Sequence, residues 1–137
     1  MKTTALVARI LLGLVFVVMG LNGFLHYIPG GPPPGPATTF TEVLVTSHYA
    51  IFVFGVQVVV GVLLLTNQFV PLALFVLAPV LANILVFHIT MLPAGLPLAL
   101  IVTALWIFVA LQCRAIFVPL FVQHAKPDAS DRGFAPG

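Results

Sequence analysis

Four apolar stretches follow one another along the chain, at about residues 4–25, 48–66, 69–90 and 97–118. Each is close to the roughly 20 residues that a helix needs to cross the hydrocarbon of a bilayer. The connections differ in kind. The first, about 26–47, opens with HYIPGGPPPGP, in which five prolines and three glycines stand together. Consecutive prolines impose an extended, semi-rigid geometry, so Pro32 to Pro34 form a strut with Gly30, Gly31 and Gly35 as bends at its ends. Long ordered loops are often functional, which makes this stretch a candidate lid as well as a connector. Its second half holds Thr39-x-x-Glu42 before VLV, the form of a capping box, and predicts a short interfacial helix near 40–46. The second connection is only Asn67 and Gln68, and the third is built around Pro93, Gly95 and Pro97. Such short turns make antiparallel neighbours of the helices they join. Pro71 and Pro97 stand at helix starts, where a missing N–H is tolerated, whereas Pro79 falls inside the third stretch and predicts a kink there. Small residues at Gly13, Gly20, Gly23, Gly55, Gly61, Ala78 and Ala82 suit close helix contacts in lipid. The pattern predicts an all-α polytopic membrane protein: a four-transmembrane-helix bundle over residues 1–122 with a Pro/Gly-rich outer loop, followed by a polar, disordered cytoplasmic tail over 123–137.

Composition agrees with the pattern. Of 137 residues, 61% are hydrophobic and 6% charged, against about 25% charged in a soluble domain. The basic start of MKTTALVARILLGLVFVVMG resembles a signal peptide, but the apolar run is too long for one and no A-x-A-like site follows, so the segment reads as an uncleaved first span. The net charge of +2 matters through its distribution. With four spans Lys2, Arg9, Arg114, Lys126 and Arg132 share one side, and the other side has no Lys or Arg. The positive-inside rule then places both termini in the cytoplasm and the protein in the inner (cytoplasmic) membrane. Membrane lipids are expected partners and nucleic acid is not. Cys113 is the one cysteine, which excludes an intrachain disulfide and dithiol redox chemistry within the chain.

Polar side chains inside the apolar stretches need a reason, because an unpaired one in hydrocarbon costs a few kcal/mol. Depth sorts them. Arg9 and His26 are separated by a rise of about 26 Å, nearly the hydrocarbon thickness, and His88 lies about 30 Å from Gln68. Three histidines, His26, His48 and His88, therefore gather on the outer side, with Asn22, Gln57 and Asn83 beneath them. Asn22 and His26 share a helix face. Asn83 lies one turn beyond Pro79, and His88 is about 140° around the helix from Asn83. Asn22, His26, Gln57, Asn83 and His88 are the candidate ligand-binding residues. The alternative is that the amides glue helices together and the histidines place polar tips at headgroup level. Arg9 and Arg114 are expected to snorkel to lipid phosphate. No residue is singled out as catalytic or as a metal ligand.

ARILLGLVFVVMGLNGFLHYIP, SHYAIFVFGVQVVVGVLLLTNQFVPLAL and LAPVLANILVFH together resemble the DoxX and DoxX-like family of small four-helix membrane proteins, over about residues 5–120. The resemblance implies a membrane location and a helical fold. It also implies an association with membrane redox complexes, including a thiosulfate:quinone oxidoreductase, or with assembly of other membrane proteins.

Together these readings favour a non-catalytic accessory subunit or small-ligand binder of a membrane redox system, with other redox subunits as partners. A quinone-like molecule would suit a polar pocket in the outer half, held by amide and imidazole donors on its ring carbonyls. The alternative is a structural or chaperone-like scaffold for partner membrane proteins. A haem protein or enzyme using His26 and His88 has no supporting motif. Transport has little support, since the spans hold no acidic residue and no inverted repeat is detectable, although a homo-oligomer would widen the pathway that four spans allow.

Overall fold

The computed structural model describes residues 2–123, and helices are the regular secondary structure among them. The tail expected to be disordered lies, from residue 124 on, outside the described residues. Four long helices dominate: α1 (Lys2–Leu25), α3 (Tyr49–Leu65), α4 (Val70–Thr90) and α5 (Leu96–Gln112). A shorter α2 (Pro36–Thr46) precedes α3, and α6 (Arg114–Phe117) follows α5. Chain direction reverses at each connection. One end of the array thus carries Arg9 and the Asn67–Gln68 turn, and the other carries His26, α2 and His88.

α1, α4 and α5 with the short 3-10 turn Pro93–Gly95 before it are long and apolar enough to cross a membrane. α3 has 17 residues and meets α2 at an 89° bend. The joint is His48, in the left-handed region at φ 62°, a conformation that costs a non-glycine residue about 1–2 kcal/mol. α2 begins at Pro36, earlier than the capping box suggests. Gly35 (φ 63°) turns the chain into it, and Pro36 supplies a pre-set φ at the first position where no N–H is needed. Thr39 and Glu42 are then interior helix residues, and the Thr38 hydroxyl donates to the Pro33 carbonyl instead.

Buried positions on each helix recur at three and four residues. On α1 they are Ala8, Leu12, Gly13, Phe16 and Gly20, and on α4 Val70, Ala73, Leu74, Leu77 and Leu81. Each helix therefore turns one stripe inward. The opposite faces, for example Leu6, Leu11, Leu14 and Val18 on α1, are exposed and equally apolar, which in a helical array of this size marks a lipid-facing surface. Around the inward stripes α1 packs on α3 and α5, and α4 on α3 and α5. The α1–α3 seam is the closest. A Cβ added at Gly13 would come 3.0 Å from the Gly61 carbonyl oxygen, and one at Gly20 would come 3.0 Å from the Phe54 carbonyl oxygen. On the α4–α5 seam the Trp106 indole N–H donates to the Leu74 carbonyl at 3.0 Å. α4 remains a continuous helix through Pro79.

Arg9 does not simply extend away from the array. Its guanidinium donates to the carbonyl of the fully buried Leu64, in the last turn of α3. The reason is local: the final carbonyls of a helix have no intrahelical partner, and the dipole there favours a cation. Replacing Arg9 with Met, which keeps the stem, is expected to lower stability by about 1–2 kcal/mol, with Lys intermediate. Thermal unfolding in a fixed detergent would measure it, and an unchanged melting temperature would mean the contact contributes nothing.

Candidate ligand-binding site

In the half of the array toward His88, the helices line a partly open cavity of about 310 Å³. α1 contributes Phe16 and Met19, α3 contributes Phe54 and Gln57, α4 contributes Ile84 and His88, and α5 closes the far side with Leu98 and Val102. Its polar side chains are Gln57 and His88; the rest of the wall is apolar.

Gln57 lies on the inward stripe of α3, with Val60, Gly61 and Leu64 at three-, four- and seven-residue spacing. It is only 6% exposed. Its carboxamide makes no hydrogen bond to a described residue, and neither amide atom is sealed away from the cavity. A buried amide without partners costs about 1–3 kcal/mol. One that faces a cavity keeps two donors and an acceptor free for whatever enters.

His88 is held by three contacts. Its Nδ1 lies 2.8 Å from the Ile84 carbonyl oxygen one turn earlier. Its ring meets Phe87 edge-on, with centroids 5.2 Å apart. The ring also rests over Gly95, where an added Cβ would stand 2.2 Å from Cδ2 and 2.3 Å from Nε2. A carbonyl can only accept, so Nδ1 carries the proton, and Nε2 of the neutral ring is left as an acceptor. Gly95→Ala is therefore expected to push the His88 ring out of place while leaving the helices intact. NMR of the histidine ring resonances would detect the shift, and unchanged ring signals would contradict it.

Of the five candidate residues, Gln57 and His88 come together at the cavity; Asn22, His26 and Asn83 do not line it. Asn22 secures the end of α1. Its carbonyl accepts from the His26 N–H at 2.9 Å and its side-chain oxygen from the Ile28 N–H at 2.7 Å. His26 takes the left-handed conformation (φ 50°) that turns the chain off the helix, with its side chain exposed. Asn83 is exposed on the outward face of α4, together with Pro79 and Val86. No residue of the stretch 26–36 lines the cavity. α2 does reach its wall, since Phe40 packs on Phe87 with ring centroids 5.4 Å apart. The residues that sequence reasoning passed over are Phe54 and Gly95. Phe54 lies against Gly23, where an added Cβ would fall 2.2 Å from its ring, and the glycine in GLNGF was the one available signal for it.

No group of three or more His, Cys, Asp or Glu side chains able to hold a metal ion occurs among the described residues. Neither a curated protein nor a solved structure matches the chain. The DoxX family model matches residues 4–90, which run from α1 through the end of α4 and include both Gln57 and His88. With well over half of its length matched, this helical, multi-pass membrane chain belongs to the DoxX family.

Proposed function

We propose that this protein is a non-catalytic accessory subunit of a membrane redox system that binds a small hydrophobic, quinone-like ligand in the cavity between Gln57 and His88. In this reading four spans, the second of them α3 with α2 as an interfacial helix across its outer end, form a bundle in the inner membrane. Both termini are cytoplasmic and the cavity lies in the outer half. The distribution of Lys and Arg supports the orientation. The observation that supports the function is Gln57: a buried amide without a hydrogen bond to a described residue, turned into an apolar cavity, with an imidazole held by its own helix in the same wall. Ligand pockets have this character, mostly apolar with a few placed polar groups. At about 310 Å³ the cavity suits a single substituted ring.

The test is native mass spectrometry of gently extracted protein, followed by melting curves with a short-chain quinone and its reduced form. Ligand at 100 times its dissociation constant stabilises by about 2.7 kcal/mol, an easily measured rise. No co-purified small molecule and no rise with either form would overturn the proposal.

One observation favours a second reading, a scaffold that holds partner membrane proteins. Asn83 exposes an amide on an otherwise apolar face of α4, and in lipid such a group gains by bonding to a neighbouring helix. Asn83→Leu separates the readings. Loss of co-purifying membrane proteins with ligand binding intact supports the scaffold; unchanged recovery removes it.

A further inference from the structure

We infer that the cavity selects ligands bearing a ring hydroxyl, donated to Nε2 of His88, over ligands that present a carbonyl or ether oxygen at that point. The inference rests on the reading that the cavity binds a ligand, and it reverses the role expected of the imidazole, which sequence chemistry had cast as a donor to ring carbonyls. The Ile84 carbonyl occupies Nδ1 at 2.8 Å and can only accept, so the proton sits there. Nε2 of the neutral ring then offers a lone pair. A carbonyl or ether oxygen brought to it would oppose lone pair to lone pair, whereas a phenolic O–H completes a hydrogen bond.

The ring does not turn over to present a donor without loss, because flipping it would abandon the bond to the Ile84 carbonyl. Gln57 does not discriminate, because its amide both donates and accepts and can serve the same hydroxyl oxygen or another ring substituent. Nor does the backbone lining the cavity intervene: the Gly95 N–H is already given to the Leu92 carbonyl at 3.1 Å. His88 is thus the group that decides, and the ligand class is a phenol or hydroquinone with an apolar substituent. A site built around a substrate hydroxyl rejects the analogue lacking it because a buried polar group is then left unpaired.

The experiment uses a matched pair without redox chemistry, 4-butylphenol and 4-butylanisole, titrated into the detergent-purified full chain by calorimetry. The phenol is expected to bind at least about tenfold more tightly, a difference of about 1.4 kcal/mol. The ring nitrogen resonance of His88 should shift with the phenol and not with the ether. In His88→Phe the two compounds should bind alike. Equal affinities in the unmodified protein would overturn the hydroxyl selection while leaving a binding cavity in place. If neither compound nor any quinone binds, the binding reading falls as well. The wild-type comparison decides the matter even if His88→Phe fails to fold.

Discussion

Gly61→Ala is expected to destabilise the protein by about 2–3 kcal/mol, while Gly55→Ala, six residues earlier on the same helix, is expected to be neutral or stabilising by up to about 1 kcal/mol. The two substitutions have the same intrinsic effect on a helix, since each replaces the residue that loses most entropy there. Their surroundings differ. A Cβ at Gly61 would lie 2.8 Å from both the Gly13 carbonyl oxygen and the Val17 backbone nitrogen of α1, and 2.7 Å from a Val17 methyl carbon. Two of those three neighbours are backbone, so α1 as a whole must move. At Gly55 nothing lies within 4 Å. The seam matters because α1 and α3 form the most extensive helix pair, and the Arg9 bond to the Leu64 carbonyl spans the same seam. In lipid there is no hydrophobic drive between helices, and close backbone approach supplies the association. Moving α1 also moves Phe16 and Met19, which line the cavity, so Gly61→Ala should weaken ligand binding too. Parallel unfolding of both variants in one detergent is the measurement. Equal stabilities would show that the α1–α3 contact is not the tight seam described.

Depth along the helices was legible in the sequence; rotation about them was not. Counting residues placed Gln57 and His88 toward the same end because a helix has a fixed rise, and the two do share the cavity there. The same count placed Asn83 beside them, yet Asn83 looks outward, because the five-residue step from it to His88 turns the helix by about 140°. Period alone could not choose between the two, since α4 is apolar all round: its outward residues Leu72, Phe75 and Val86 are as hydrophobic as the buried Leu74 and Leu77. A helix in water would have declared its inner face by contrast, and a helix in lipid does not. Asn22 and His26 show a different limit. Their spacing predicts one face, but the helix ends at Leu25, the Ile28 N–H beyond it donates to the Asn22 side-chain oxygen, and His26 turns off the helix with its side chain exposed. At the opposite end the last turn of α3 takes one nitrogen of the Arg9 guanidinium, a partner that depth counting does not reveal. Membrane character and family were readable because they depend on composition and ordered motifs, which no rotation disturbs. The part played by Gly95 was not, since it depends on the ring of His88 folding back over the turn that follows.

Gln57→Leu should make the ligand-free protein more stable, by about 1–2 kcal/mol, and at the same time abolish ligand binding. Both halves follow from one fact. The amide is 6% exposed, makes no hydrogen bond to a described residue and opens only onto the cavity, so in the ligand-free protein it gives up hydrogen bonds to water that no side chain of the wall replaces, at about 1–3 kcal/mol at most. Leucine is close in volume, sits on the inward stripe of α3 beside Val60, Gly61 and Leu64, and carries no polar group to satisfy. A residue retained only for packing would give the opposite result, with Leu neutral at best for binding and no gain in stability. Gain of stability with loss of binding is the signature of a position that serves function at the expense of the fold. Gln57→Glu is the companion variant: with the same shape and an ionisable group among apolar walls, it should destabilise strongly. Melting curves of the three proteins, each with and without 4-butylphenol, read both effects together. If Gln57→Leu is less stable than the native chain, the amide has a structural partner and the cavity loses its claim to be the site.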